Sequence, residues 1–131
     1  MPGYAYLDAS AIVKLVVAEP ETAALERDVA GRIALLSSRL SATEVLRAAR
    51  RHPLRRVLQQ AEDVLDSFVL MEVTSAILKR AGALGPTDLR TLDAIHLATA
   101  LGLGLANLEF LTYDVRLARA ARAHGLSVSK P

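Results

Sequence analysis

Four acidic side chains, Asp8, Glu44, Asp93 and Asp114, are scattered along the chain, each at or near the expected start of a helix. Asp8 and Asp114 each close a short β-type run and open a helix, while Glu44 and Asp93 fall in the first turns of two others. Singly, each has an ordinary structural role. Asp8 and Asp114 can cap helix N-termini, Ser41-Ala-Thr-Glu44 reads as a capping box, and Asp93 can answer a helix macrodipole. Together they pose an electrostatic problem, because carboxylates gathered within a few ångströms repel one another and shift toward protonation. A divalent cation resolves it. Oxygen donors in a chain with no cysteine and no obvious histidine pair select a hard ion, Mg²⁺ or Mn²⁺, over zinc. Such ions activate water and stabilise the attacking and leaving oxygens of a phosphodiester, so the chemistry implied is phosphodiester hydrolysis. Ser10, in Asp8-Ala-Ser10, and Thr112, in Thr112-Tyr-Asp114, are spaced to orient the strand-end carboxylates. His96 lies three residues past Asp93 on the same helical side and is expected to make a structural hydrogen bond; His52 and His124 read as ordinary loop and helix-end residues.

The elements that would position these acids follow from periodicity. Tyr4 to Leu7 is a short strand, followed by a mostly buried helix that stops near Pro20. Glu21 to Val29 is a helix stopped at Gly31, and Ile33 to Leu36 is a buried strand. A helix headed by Ser41 runs through Arg50. Beyond Pro53, Val57, Leu58, Ala61, Leu65 and Phe68 keep helical spacing, and Val69 to Val73 is a third strand. Thr74 caps the next helix, which ends at Gly85-Pro86, and Leu92 to Leu101 is apolar on most sides and expected at the centre. Phe110 to Tyr113 is a strand, Val115 to His124 a helix closed by Gly125, and Leu126 to Val128 a last strand. Strands alternating with helices predict an α/β fold with a parallel sheet and helices on both faces. Ligands in such folds bind beyond the carboxyl ends of the strands, where Asp8 and Asp114 stand.

Length and composition bound the rest. The 131 residues suit a single domain spanning 1–131, and 52% hydrophobic content supplies its core, built from Ala, Leu, Val and Ile because aromatics are only 4%. The absence of cysteine excludes a disulfide scaffold and a thiolate nucleophile. The longest apolar runs fall far short of the ~20 residues a membrane span needs, and no basic segment precedes an apolar core at the N-terminus, so a cytoplasmic protein without membrane association is expected. Net charge is only +2, yet it is unevenly placed. Arg47, Arg50, Arg51, Arg55 and Arg56 fall in a stretch without an acid, and Arg116, Arg119 and Arg122 form a second stripe. Arg47, Arg50, Arg51, Arg55, Arg56 and Arg116 are the candidate contacts to the phosphates of a nucleic-acid substrate.

The segments Leu7-Asp8-Ala-Ser10-Ala, Thr43-Glu44, Leu92-Asp93-Ala-Ile-His96-Leu-Ala-Thr-Ala100 and Leu111-Thr112-Tyr-Asp114 resemble the PIN-domain ribonucleases. Within that group they are most similar to the VapC toxins of bacterial and archaeal VapBC toxin–antitoxin modules, and the resemblance covers essentially the whole chain in order. It implies a PIN-like α/β/α sandwich, Mg²⁺ or Mn²⁺ as cofactor, and endonucleolytic cleavage of RNA, with Asp8, Glu44, Asp93 and Asp114 as catalytic and metal-binding acids. It also implies a homodimer and a cognate VapB-type antitoxin whose tail lies in an apolar groove. The surplus of apolar residues in the helices from Glu21 to Leu65 points the same way. Family members often carry a further acid or amide after the fourth Asp; Val115, Arg116 and Leu117 follow here, which leaves a second metal less firmly held. Three other readings compete. A receiver-like phosphoacceptor needs paired acids at the first strand, where Asp8 stands alone, and a haloacid-dehalogenase-like phosphatase needs a second Asp where Ser10 stands. A catalytically inactive PIN-like domain that binds RNA or a protein partner is the remaining rival, and the intact acids argue against it.

Overall fold

The structure, a computed structural model, describes residues 3–131. Five strands form one parallel sheet: β1 (Tyr4–Leu7), β2 (Ala34–Ser38), β3 (Phe68–Met71), β4 (Leu108–Leu111) and β5 (Ser127–Ser129), in the order β3-β2-β1-β4-β5. Seven helices among the described residues connect and cover them: α1 (Ala9–Val16), α2 (Thr22–Ala30), α3 (Arg39–Arg50), α4 (Arg56–Asp66), α5 (Ser75–Ala83), α6 (Thr91–Gly102) and α7 (Val115–Ala123). None is long and apolar enough to cross a membrane.

β1 lies at the centre because Ala5, Tyr6 and Leu7 are fully buried on both faces, as a middle parallel strand requires. Successive side chains point to opposite sides. Ala5 and Leu7 therefore join the core under α1, α3 and α4, with Ile12, Val45, Val57 and Leu65. Tyr6 faces the other way, stacks on Phe110 with ring centroids 5.2 Å apart, and packs with Leu97 of α6 and Leu117 of α7. Helices thus cover both faces of the sheet, the α/β/α sandwich expected. Residues Ala94 to Ala100 of α6 are buried without interruption, so its near-uniform apolarity does mark a central helix.

Several boundaries differ from the sequence-based expectation. β4 spans Leu108–Leu111 rather than Phe110 to Tyr113, because pairing with Tyr4–Leu7 of β1 fixes its extent, and Thr112 and Tyr113 belong to the turn into α7. β2, β3 and β5 are displaced by a residue or two for the same reason. The capping box is absent. Ser38 caps α3, its hydroxyl accepting from the Leu40 N–H, so Ser41 lies inside the helix and Glu44 in its second turn. Among the apolar residues of α2 to α4, Leu25, Val45, Ala49, Val57, Ala61 and Leu65 are buried in the core, while Val29, Leu46, Leu58 and Val64 pack against it only partly buried.

The chain leaves β1 toward β2 and β3 on one side, then returns to place β4 on the other side of β1. The strand order reverses between β1 and β4. That reversal opens a crevice at the carboxyl ends of these two strands, the usual ligand position in open α/β sheets.

Candidate active site

Asp8 follows β1 directly and Asp114 follows the turn after β4, so the reversal point sets both at its mouth. Both cap helices. The Asp8 carboxylate accepts from the Ala11 N–H of α1 at 3.0 Å, and Asp114 accepts from the Leu117 N–H of α7 at 3.0 Å. Capping and site membership are compatible here, since each carboxylate uses one oxygen on its helix.

Asp8 is nearly fully buried and held from three directions. Its Oδ1 also accepts from the Ser10 hydroxyl at 2.8 Å, and its Oδ2 accepts from the Thr112 hydroxyl at 2.7 Å. Thr112 Oγ1 in turn accepts from the Asp114 N–H at 3.1 Å. One buried hydroxyl therefore ties the two strand-end acids together, a link that pairing of β1 with β4 creates. Burial pushes the Asp8 carboxyl up from its ordinary pKa, against the downward pull of Thr112, the Ala11 N–H, Ser10 and His96.

Asp93, in the first turn of α6, is raised by partial burial and then by the charges of Asp114 and Asp8, with His96 and Arg90 acting in the opposite direction. Asp93 thus senses both strand-end acids. Glu44 joins them through His96. The His96 Nε2 lies 2.8 Å from Glu44 Oε1, and its Nδ1 lies 2.8 Å from the Tyr6 hydroxyl. Burial drives the Tyr6 phenol far above its ordinary pKa and keeps it protonated. Its O–H donates to Nδ1, which leaves the Nε2–H to donate to Glu44; this assignment of the ring proton satisfies all three groups. The expected structural hydrogen bond of His96 is present, and it holds a site acid. Beneath it, the buried Ser37 hydroxyl donates to the Leu7 carbonyl at 2.6 Å and lies 2.7 Å from the Ser41 hydroxyl, which locks the ends of β1 and β2 to α3.

Among the described residues, the ion pairs involve neither Asp8, Asp93 nor Asp114 with a lysine or arginine. Nor, among the described residues, do three or more His, Cys, Asp or Glu side chains stand close enough together to hold a metal ion as they are placed. The match to a hard divalent ion accordingly rests on donor chemistry: carboxylate oxygens with no lysine or arginine in ion-pair contact among the described residues.

The candidate arginines divide between two surfaces. Arg47, Arg50, Arg51, Arg55 and Arg56 are all exposed, and Arg50 and Arg55 line a depression of their own between α3 and α4. Arg116 instead lines a cleft of about 400 Å³ that includes Asp93 and Asp114, together with Arg90 and Arg119. Arg90 and Tyr6 went unnoticed in the sequence. Arg90 is the residue before the helix that carries Asp93, and Tyr6 is the one polar position in a buried run, so both had a local signal.

The chain matches the PIN domain family model over residues 5–123. It is 45% identical to Ribonuclease VapC46 of Mycobacterium tuberculosis over 96% of each chain, and 40% identical to Ribonuclease VapC35 of the same species over 96% of each. Among solved structures, the sarcin–ricin loop cleaving toxin VapC20 of M. tuberculosis superposes with a TM-score of 0.76 at 16% identity, covering 97% of this chain and 99% of that one. VapBC2 from Rickettsia felis, solved bound to a promoter DNA fragment, gives 0.70 at 14% identity over 97% of this chain and 98% of that one.

Proposed function

The chain belongs to the PIN-domain family, and we propose on that premise that it is a metal-dependent endoribonuclease and the toxin of a toxin–antitoxin pair. The observation that carries the chemistry is the acidic cluster at the β1/β4 reversal, where Thr112 ties Asp8 to Asp114, Asp93 shares a cleft with Asp114, and Asp93 is raised by burial and then by the charges of Asp114 and Asp8. Relatives named ribonucleases at 45% and 40% identity support RNA as the substrate.

Asp8, Asp93, Asp114 and Glu44 are the residues that would hold Mg²⁺ or Mn²⁺. When bound, such an ion supplies Lewis acidity, acidifying water and offsetting the charge of the scissile phosphate. The protein supplies orientation. Ser10, Thr112 and the Ala11 N–H fix the Asp8 carboxylate, Thr112 couples it to the backbone of Asp114, and His96 braces Glu44 against Tyr6. Hydrolysis adds the elements of water across one P–O bond, leaving a phosphate on one fragment and a hydroxyl on the other. A second copy of the chain and a VapB-type antitoxin complete the proposed assembly, and the arginines are the proposed phosphate contacts. Purified chain free of antitoxin should cleave a structured RNA with Mg²⁺ or Mn²⁺ and stop on EDTA; cleavage that persists in excess chelator would overturn the metal requirement.

A further inference from the structure

We propose that the cleft between α7 and the loop at 85–90 is a nucleotide subsite, which holds one nucleotide of a single-stranded RNA next to the bond being cut. The inference rests on the ribonuclease reading and extends it to a specific wall of the molecule. The cleft, at about 400 Å³, falls in the range of roughly 300–1,000 Å³ typical of small-molecule sites. It shares Asp93 and Asp114 with the acidic cluster, so whatever occupies it lies against the reacting phosphate.

Its two surfaces differ in character. Pro86, Leu89, Ala120 and Ala123 give the apolar part of its lining, while Arg90, Arg116 and Arg119 give the basic part, exposed and without ion-pair partners among the described residues. Asp88 lies on the same wall, so the three arginines face three acids, two of which, Asp93 and Asp114, belong to the acidic cluster. Arg116 and Arg119 are three apart on α7 and share one helical side, so both guanidinium groups face the cleft. Planar guanidinium forks match phosphate oxygens, and an apolar lining accepts the face of a base. A nucleotide has both parts in this arrangement. The walls are tied: the His124 Nε2–H at the end of α7 donates to the Gly85 carbonyl at 2.8 Å, which pins the helix to the loop opposite.

The test measures binding apart from cleavage. A short fluorescein-labelled single-stranded oligoribonucleotide is titrated with the chain in EDTA by fluorescence anisotropy, at several salt concentrations. Arg116→Gln and Arg119→Gln should each weaken binding severalfold and flatten the log–log salt slope by about 0.7, the value for one single-strand phosphate contact. Arg27→Gln, on exposed α2, serves as the control for loss of charge alone. Ala123→Trp, which crowds the apolar lining, should weaken binding while preserving the salt slope. In the metal-supplemented cleavage assay, all three cleft variants should raise KM more than they lower kcat. Wild-type affinity and slope in the three cleft variants, with RNA still cleaved, would overturn the subsite and leave the ribonuclease reading intact. RNA binding that depends on the cleft in a chain that never cleaves would do the reverse. Unchanged RNA binding with loss of antitoxin capture by the same variants would give the cleft to the protein partner and also overturn the proposal.

Discussion

At the residue scale the site is a set of acids whose ionisation works against the fold. Asp8 and Asp93 both bind their protons more tightly in the folded chain, Asp8 through burial and Asp93 through burial and the charges of Asp114 and Asp8. A group with a raised folded pKa contributes stability below its unfolded pKa, and loses that contribution as pH rises through the folded value. Neutral pH is therefore the unfavourable side for both. In chelator at pH 7, Asp93→Asn should melt at or above the wild type, and the advantage should vanish below about pH 4, where the unfolded carboxyl is itself protonated. Asp8→Asn tests the same sign in a tighter setting, since an amide nitrogen in place of Oδ2 would donate to Thr112 Oγ1 but leave the buried Thr112 O–H without its acceptor, which offsets part of the gain. Each variant should lose cleavage, and each should lose the rise in melting temperature that Mn²⁺ gives the wild type, which scales as RT ln(1 + [L]/Kd). Thermal melts over a pH series with and without Mn²⁺ check both. His96 belongs to a different class of residue. His96→Ala leaves the buried Tyr6 hydroxyl without its partner at a cost of about 1–3 kcal/mol and frees Glu44, which should lower activity by roughly tenfold to a hundredfold. His96→Gln, which can still donate toward Glu44, should recover part of the activity in a kcat comparison.

At the element scale, the helix starts do two jobs, and this separates what the sequence shows from what it hides. Asp8 and Asp114 were legible as strand-end acids because an apolar run followed by Asp and a helical pattern is a local signal. Their meeting was not, because it depends on β4 lying beside β1, and an order of β3-β2-β1-β4-β5 is a choice of long-range pairing that periodicity does not encode. Thr112 illustrates the difference. By spacing it belongs to Asp114, whereas strand pairing turns its hydroxyl to Asp8. Ser41 misled for the opposite reason. The pattern Ser-x-x-Glu satisfies the capping rule, yet Ser38, three residues earlier, lies at the end of β2 where the chain must turn, and takes the cap. The dual use of Asp114 gives an element-level prediction. Asp114→Asn keeps a cap for α7 and should cost little stability, while Asp114→Ala loses the bond to the Leu117 N–H and should cost about 1 kcal/mol by denaturant unfolding. Both should abolish cleavage. Equal destabilisation by Asn and Ala would show that the cap adds nothing to α7.

At the scale of the whole molecule, the apolar surface that remains after folding has to be accounted for. In the span from α2 to α4, Ile33 and Leu54 stay exposed at 57% and 46%, while Leu46, Leu58 and Val64 are partly buried. The structure leaves Val69 of edge strand β3, Leu78 of α5 and Leu92 of α6 about half exposed, at 53%, 48% and 46%. Between β3, α5 and α6 runs a groove of about 600 Å³ that includes Val69, Met71, Ile77 and Leu103, and a second groove of about 350 Å³ on the α5–α6 seam includes Leu78 and Ile95. An edge strand with an exposed valine beside two apolar grooves is poorly protected against association, and burying it between two copies removes apolar area from water at about 25 cal/mol per Å². The proposed homodimer is therefore expected to use this side of the molecule, centred on the larger groove, which shares no lining residue with the cleft between α7 and the loop at 85–90. Light scattering should give twice the 14.0 kDa chain mass at micromolar concentration. Leu78→Lys and Val69→Lys, both at exposed positions with little folding cost, should shift the mass toward one chain while circular dichroism and the melting curve of the separated chain remain those of a folded protein. A mass of 14.0 kDa for the wild type across a wide concentration range would rule out the dimer; a dimer indifferent to both substitutions would place its interface on another face.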